Sequence, residues 1–144
     1  MQQLFEQVED ARALAQIIVD TVREPVLVLS GEFDILFASA SFYRAFHLDP
    51  LVVLGGPLFA LDDGKWEIPA LHELLDTVVR LQNMGGPIEI DRDFGTIGRR
   101  VLRLYAHTVA YKPGARPAVI LNIEDITERR AIEVEKERLK VQAD

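Results

Sequence analysis

Between Arg99 and Ile126 the chain sets two β-type runs back to back. "RRVLRLYAHTVAY" alternates, with Leu102, Leu104, Ala106 and Thr108 on one side and Arg103, Tyr105 and His107 on the other. "KPGAR" is a turn, and "PAVILNIEDI" is a second, more hydrophobic strand. Three shorter runs join them. "IEIDRDF" places Ile88 and Ile90 on one face, and "PVLVLSGEFDILFASA" gives two strands around a turn at Ser30-Gly31-Glu32, a hairpin signal. Five short strands can make one antiparallel sheet, and a sheet with one apolar face needs helices to cover it.

The helices are legible around those strands. Residues 1–23 read as an amphipathic helix, with Leu4, Val8, Ala11, Ala15, Ile18 and Val22 recurring at spacings of four and three as a heptad-like seam. Phe5, Leu14 and Ile17 widen its apolar face, and Glu24-Pro25 ends it. Two readings of this helix stand: it packs on its own domain, or it pairs with a second chain. "SASFYRAFHL" is a short helix with Phe42 and Phe46 on one face, stopped by Asp49-Pro50. "LVVLGGPLFALDDG" reads as short turns of helix and loop. Pro69 is a favoured first helical residue, and Leu71, Leu74, Leu75 and Val78 form one face of a helix running to about Met84. Gly85-Gly86-Pro87 punctuates. From Thr127 a charged helix begins, laced with Glu133–Lys136, Glu135–Arg138 and Glu137–Lys140 pairs, and Asp125 with Glu128 fits a capping box at its start. The expected division is an N-terminal helix at 1–23, a core at 24–126 and an exit helix at 127–144. The fold class is α+β, a five-stranded antiparallel sheet with short helices on one face and helical extensions at both termini.

Composition removes several functions. The 144 residues are 49% hydrophobic, enough to bury a core without staples. A formal net charge of −7 lacks the footprint of a nucleic-acid binder and disfavours anionic membrane surfaces. The apolar runs fall far short of the about 20 residues of a membrane span, and no signal peptide is visible, so a cytoplasmic location is expected. There is no cysteine, which excludes disulfides and thiolate chemistry.

Three stretches in this order resemble the PAS sensory domain. "VREPVLVLSGEFDILFASASFYRAF" is similar to the family's first two strands and following helix, with Ser39 where the family often has Asn. "NIEDITERR" resembles the Asp-Ile-Thr motif that ends the last strand and opens the exit helix. "DDGKWEIPALHELL" with "DFGTIGRRVLRL" resembles a bacterial subgroup found in front of histidine kinases, often of the HWE type, and in chemotaxis methylesterase/methyltransferase fusions. The resemblance covers about residues 15 to 130. It implies a sensor or relay module that binds a small ligand, haem or flavin, or binds nothing and relays by dimer rearrangement. It also implies an output domain in a longer parent, such as the kinase of a two-component system.

The candidate cofactors fare poorly. The family's flavin photoadduct needs a cysteine, and the glutamine of that subgroup is replaced by Ile123. Haem would need an axial histidine. His72 stands on the helix that carries it in haem-binding members, but falls to the side of that helix's apolar face. His47, His72 and His107 are too scattered for a metal site. Small acid–base catalysis is a third possibility, but Asp62-Asp63 read as a solvated turn before Gly64, and Asp91 and Asp93 as outer-face strand residues. No nucleophile triad or phosphate loop is present.

A pocket, if open, is expected to be lined by Phe42, Phe46, Leu58, Phe59, Trp66, Leu75, Leu102, Leu104, Leu121 and Ile123. Trp66 has two readings, a packed ring or an indole N–H aimed at a ligand. Glu67 is expected to pair with Arg99 or Arg100. With lining this apolar, closure of the pocket by its own side chains is the leading reading, and no cofactor is expected. The chain is then a relay: a homodimer through the N-terminal seam and the outer sheet residues Tyr105 and Ile120, passing its signal at the Asp125–Thr127 junction. The alternatives are a small-ligand or haem sensor and a small acid–base enzyme.

Overall fold

A computed structural model describes residues 14, 16–18, 23–82, 84–110 and 116–143. The strands are β1 (Val26–Leu29), β2 (Ile35–Ala38), β3 (Met84–Asp93), β4 (Arg99–Val109) and β5 (Ala118–Asp125). They form one antiparallel sheet in the order β2-β1-β5-β4-β3. Helices α1 (Ala40–Phe46), α2 (Pro50–Val53), α3 (Leu61–Gly64) and α4 (Pro69–Leu81) lie between β2 and β3, and α5 (Thr127–Ala143) follows β5. The α+β class and the five-stranded antiparallel sheet are as expected.

The alternation in β4 and β5 sorts side chains as read. Leu102, Leu104 and Ala106 join Val119, Leu121 and Ile123 in the core, while Arg103, Tyr105, His107 and Ile120 stay half-exposed on the outer face. The α4 face of Leu71, Leu74, Leu75 and Val78 is buried against that core. Ser39 caps α1: its Oγ accepts from the N–H groups of Phe42 (3.2 Å) and Val26 (2.9 Å). The helix start is thereby tied to the first strand. Asp49 caps α2 the same way, with Pro50 as its first residue.

Three local expectations are corrected. Helix α4 ends at Leu81 rather than near Met84, because Gln82 takes the left-handed conformation (φ 49°) and its N–H closes on the Val78 carbonyl. Gly85-Gly86-Pro87 does not separate elements. It lies inside edge strand β3 as a bulge, where the register with β4 shifts between Gly85 and Ile88. Proline suits this place, since an edge strand does not need every N–H in its ladder. Asp62-Asp63 are not a plain solvated turn. With Gly64 they form a left-handed helical turn (φ 54°, 57° and 79°), a conformation open to Asp and Gly at lower cost than to most residues.

Of the N-terminal seam only Ile18 lies within the described residues; Leu4, Val8, Ala11, Ala15 and Val22 lie outside them. Leu14, Ile17 and Ile18 are exposed, and the Gln16 side chain donates to the Ala38 carbonyl of β2 at 3.2 Å.

Candidate functional site

Nine of the ten expected pocket residues are fully buried or nearly so in one cluster between the sheet and helices α1 and α4; Phe59 is packed against its rim. The sequence order explains the assembly. Helix α1 presents Phe42 and Phe46 one turn apart, with ring centroids 5.0 Å apart. The left-handed turn α3 then reverses the chain and delivers Trp66 beside them, 6.0 Å from Phe42 and 5.2 Å from Phe46. Phe94, at the end of β3, closes the group at 5.4 Å from Trp66 and 5.6 Å from Phe46. These tilted and edge-on pairs are the favoured aromatic geometries. Phe94 is missing from the sequence-derived lining, although it stands in phase with Ile88 and Ile90.

Trp66 is 0% exposed, and its indole N–H has no hydrogen-bond partner. Buried donors are seldom left so.

Glu67 faces away from this cluster. It meets His72 rather than Arg99 or Arg100, at 2.5 Å between carboxylate and Nε2. Arg99 goes to Asp91 across the β3–β4 hairpin at 2.7 Å, and Arg100 lies 3.7 Å from Asp125. Strand pairing decides this, because register sets Asp91 opposite Val101, two residues from Arg99. His72 stacks on Phe59 with centroids 3.5 Å apart, so its ring is engaged on the outer side of α4. It lines a surface groove with Glu67, Glu73, Asp76 and Arg80. His47 is exposed and His107 is half-buried on the outer sheet face. Among the described residues no group of three or more His, Cys, Asp or Glu is placed to hold a metal ion. No described helix is long and apolar enough to cross a membrane.

The junction to α5 is built from four residues. Asp125 Oδ1 accepts from the Thr127 backbone N–H at 3.0 Å and from its hydroxyl at 2.5 Å. Thr127 Oγ1 accepts from the Val101 N–H at 2.9 Å, and the Ile126 N–H donates to the Val101 carbonyl at 2.9 Å. The expected Asp125–Glu128 capping box is therefore replaced by an Asx turn onto Thr127, because the helix starts two residues after the aspartate. The threonine ties that start to Val101, near the beginning of β4.

No protein-family model matches the chain, and no curated protein matches it. Solved structures do. The PAS domain of BvgS from Bordetella pertussis is 23% identical with a TM-score of 0.61, over 92% of this chain and 98% of that one. A sensory box sensor histidine kinase structure from Vibrio cholerae is 14% identical with a TM-score of 0.56, over 86% and 98%. The LOV protein of Rhodobacter sphaeroides is 16% identical with a TM-score of 0.62, over 88% and 68%. With this strand order, these helices on one face and an exit helix hydrogen-bonded to the central sheet, the chain has the PAS fold.

Proposed function

We propose that the chain is a cytoplasmic sensory relay domain of a bacterial signal-transduction protein, working as a homodimer that biases an output domain beyond α5, of histidine-kinase type. The observation that carries this reading is the Asp125–Thr127–Val101 junction. Two hydrogen bonds to the Val101 backbone tie the start of α5 to β4, and Asp125 braces Thr127 from the end of β5, so a change in sheet packing becomes a tilt or rotation of the helix. The likeness in fold to the sensor kinase structure from Vibrio cholerae supports the choice of output. A core filled by its own aromatic and aliphatic side chains supports a relay that needs no cofactor. No catalytic role is assigned to the chain.

Replacing Asp125→Ala removes the acceptor for Thr127. In the isolated chain the expected loss is about 1 kcal/mol, as for a helix cap. In a chain that carries its output domain, kinase activity should stop following the signal. Regulation identical to the unsubstituted protein would overturn the reading.

A second reading, a small-ligand sensor, is favoured by one observation: the unpartnered Trp66 N–H inside the core. A ligand with a hydrogen-bond acceptor and an otherwise apolar body would suit it. Mass retained on the purified protein in native mass spectrometry separates the two readings.

A further inference from the structure

The outer face of the sheet carries a row of charge that the junction does not use. Glu89 of β3, Arg103 of β4 and Glu124 of β5 are cross-strand neighbours in one line. Arg103 donates to Glu89 Oε1 at 3.0 Å. Helix α5 brings two adjacent arginines over both ends of that line. Arg129 reaches Glu124 at 2.9 Å, and Arg130 donates to Glu89 Oε2. Arg130 also lies 3.7 Å from Glu133 on its own helix. Glu89 is the centre: each carboxylate oxygen is taken by an arginine from a different element. The Arg103 hydrogen bond first, and then that of Arg130, hold its carboxyl below the ordinary glutamate range. Glu89, and then Tyr105, raise the Arg103 guanidinium in turn.

Exposed ion pairs taken singly contribute little, but a network keyed to three strands fixes geometry. Its leverage is large here because α5 has little else on the sheet. Beyond Ile126 the helix's apolar side chains point outward: Ile132, Val134, Leu139 and Val141 are each at least half exposed. Hydrophobic burial therefore does not set the helix's angle, and beyond Thr127 the side chains of α5 that bond to the sheet are the charged Arg129 and Arg130 of its first turn.

We infer that Glu89, shared between Arg103 and Arg130 and closed at the far end by Glu124–Arg129, is an electrostatic latch that holds the first turn of α5 against the sheet and releases it when broken. The purpose of the latch rests on the relay reading; its existence is a property of this chain alone.

Amide hydrogen exchange on the full chain tests it, with two variants. Glu89→Gln removes both contacts at the centre, whereas Arg130→Gln spares the Glu89–Arg103 strand pair. Both should speed exchange over residues 128–134 by roughly five-fold, with β4 and β5 amides unchanged. Raising salt from about 0.05 M to about 1 M should move the unsubstituted chain the same way. Unchanged exchange in α5 overturns the latch, and so does equal acceleration in β4 and β5 with Arg130→Gln. No output domain enters this readout, so its failure is distinct from failure of the relay, which is read by kinase regulation in the Asp125→Ala chain.

Discussion

Trp66→Ala is expected to destabilise the domain by about 3–5 kcal/mol, lowering the melting temperature by roughly 10–15 °C. The ring is wholly buried and touches Phe42, Phe46 and Phe94, so truncation opens a cavity among three rigid aromatic neighbours that cannot collapse into it. Trp66→Phe should behave differently. It keeps an aromatic body and removes an N–H that has no partner. Losing an unsatisfied buried donor offsets part of the lost contact, so the expected change is at most about 1 kcal/mol. Paired thermal melts of the two variants check this. A phenylalanine variant as damaged as the alanine variant would mean that the indole N–H is satisfied in solution by a bound group, which favours the ligand-sensor reading.

Gly86→Ala should cost about 3 kcal/mol although the residue is exposed on an edge strand. Its φ of 98° lies in the region that side chains disfavour, and an added Cβ would stand 2.7 Å from the Leu104 carbonyl oxygen. That oxygen belongs to the backbone of a central strand and cannot swing away as a side chain would. Chemical denaturation should show a lower midpoint with an unchanged slope. A loss under about 1 kcal/mol would mean that the bulge relaxes freely and is not needed for the β3–β4 register.

The bulge also marks the limit of what the sequence discloses. Local alternation was enough for β4 and β5, and the three-four spacing was enough for the buried face of α4, because those periodicities follow directly from which face meets the core. Gly85-Gly86-Pro87 has the composition of a connection. It sits in a strand because it pairs with β4, and Gly85 is glycine there because α4 passes so close that a Cβ would meet Val78 at 2.5 Å, tertiary facts no local window contains. The expected partner of Glu67 failed for a similar reason: register had already committed Arg99 to Asp91 and set Arg100 near Asp125. The Glu89–Arg103–Glu124 row depends on two registers at once and was beyond sequence reading. Phe94 was within reach, since alternation from Ile90 places it inward. Resemblance marks the Asp-Ile-Thr end as a junction, but the role of the Val101 backbone in it emerges only once β4 and β5 are paired.

The proposed relay is a homodimer whose core is closed by its own side chains. Native mass spectrometry of the purified protein tests it most directly. The expected result is a dimer whose mass is that of two polypeptides and nothing more. A bound small molecule would contradict the closed core and make this a ligand sensor, and a bare monomer would contradict the paired relay.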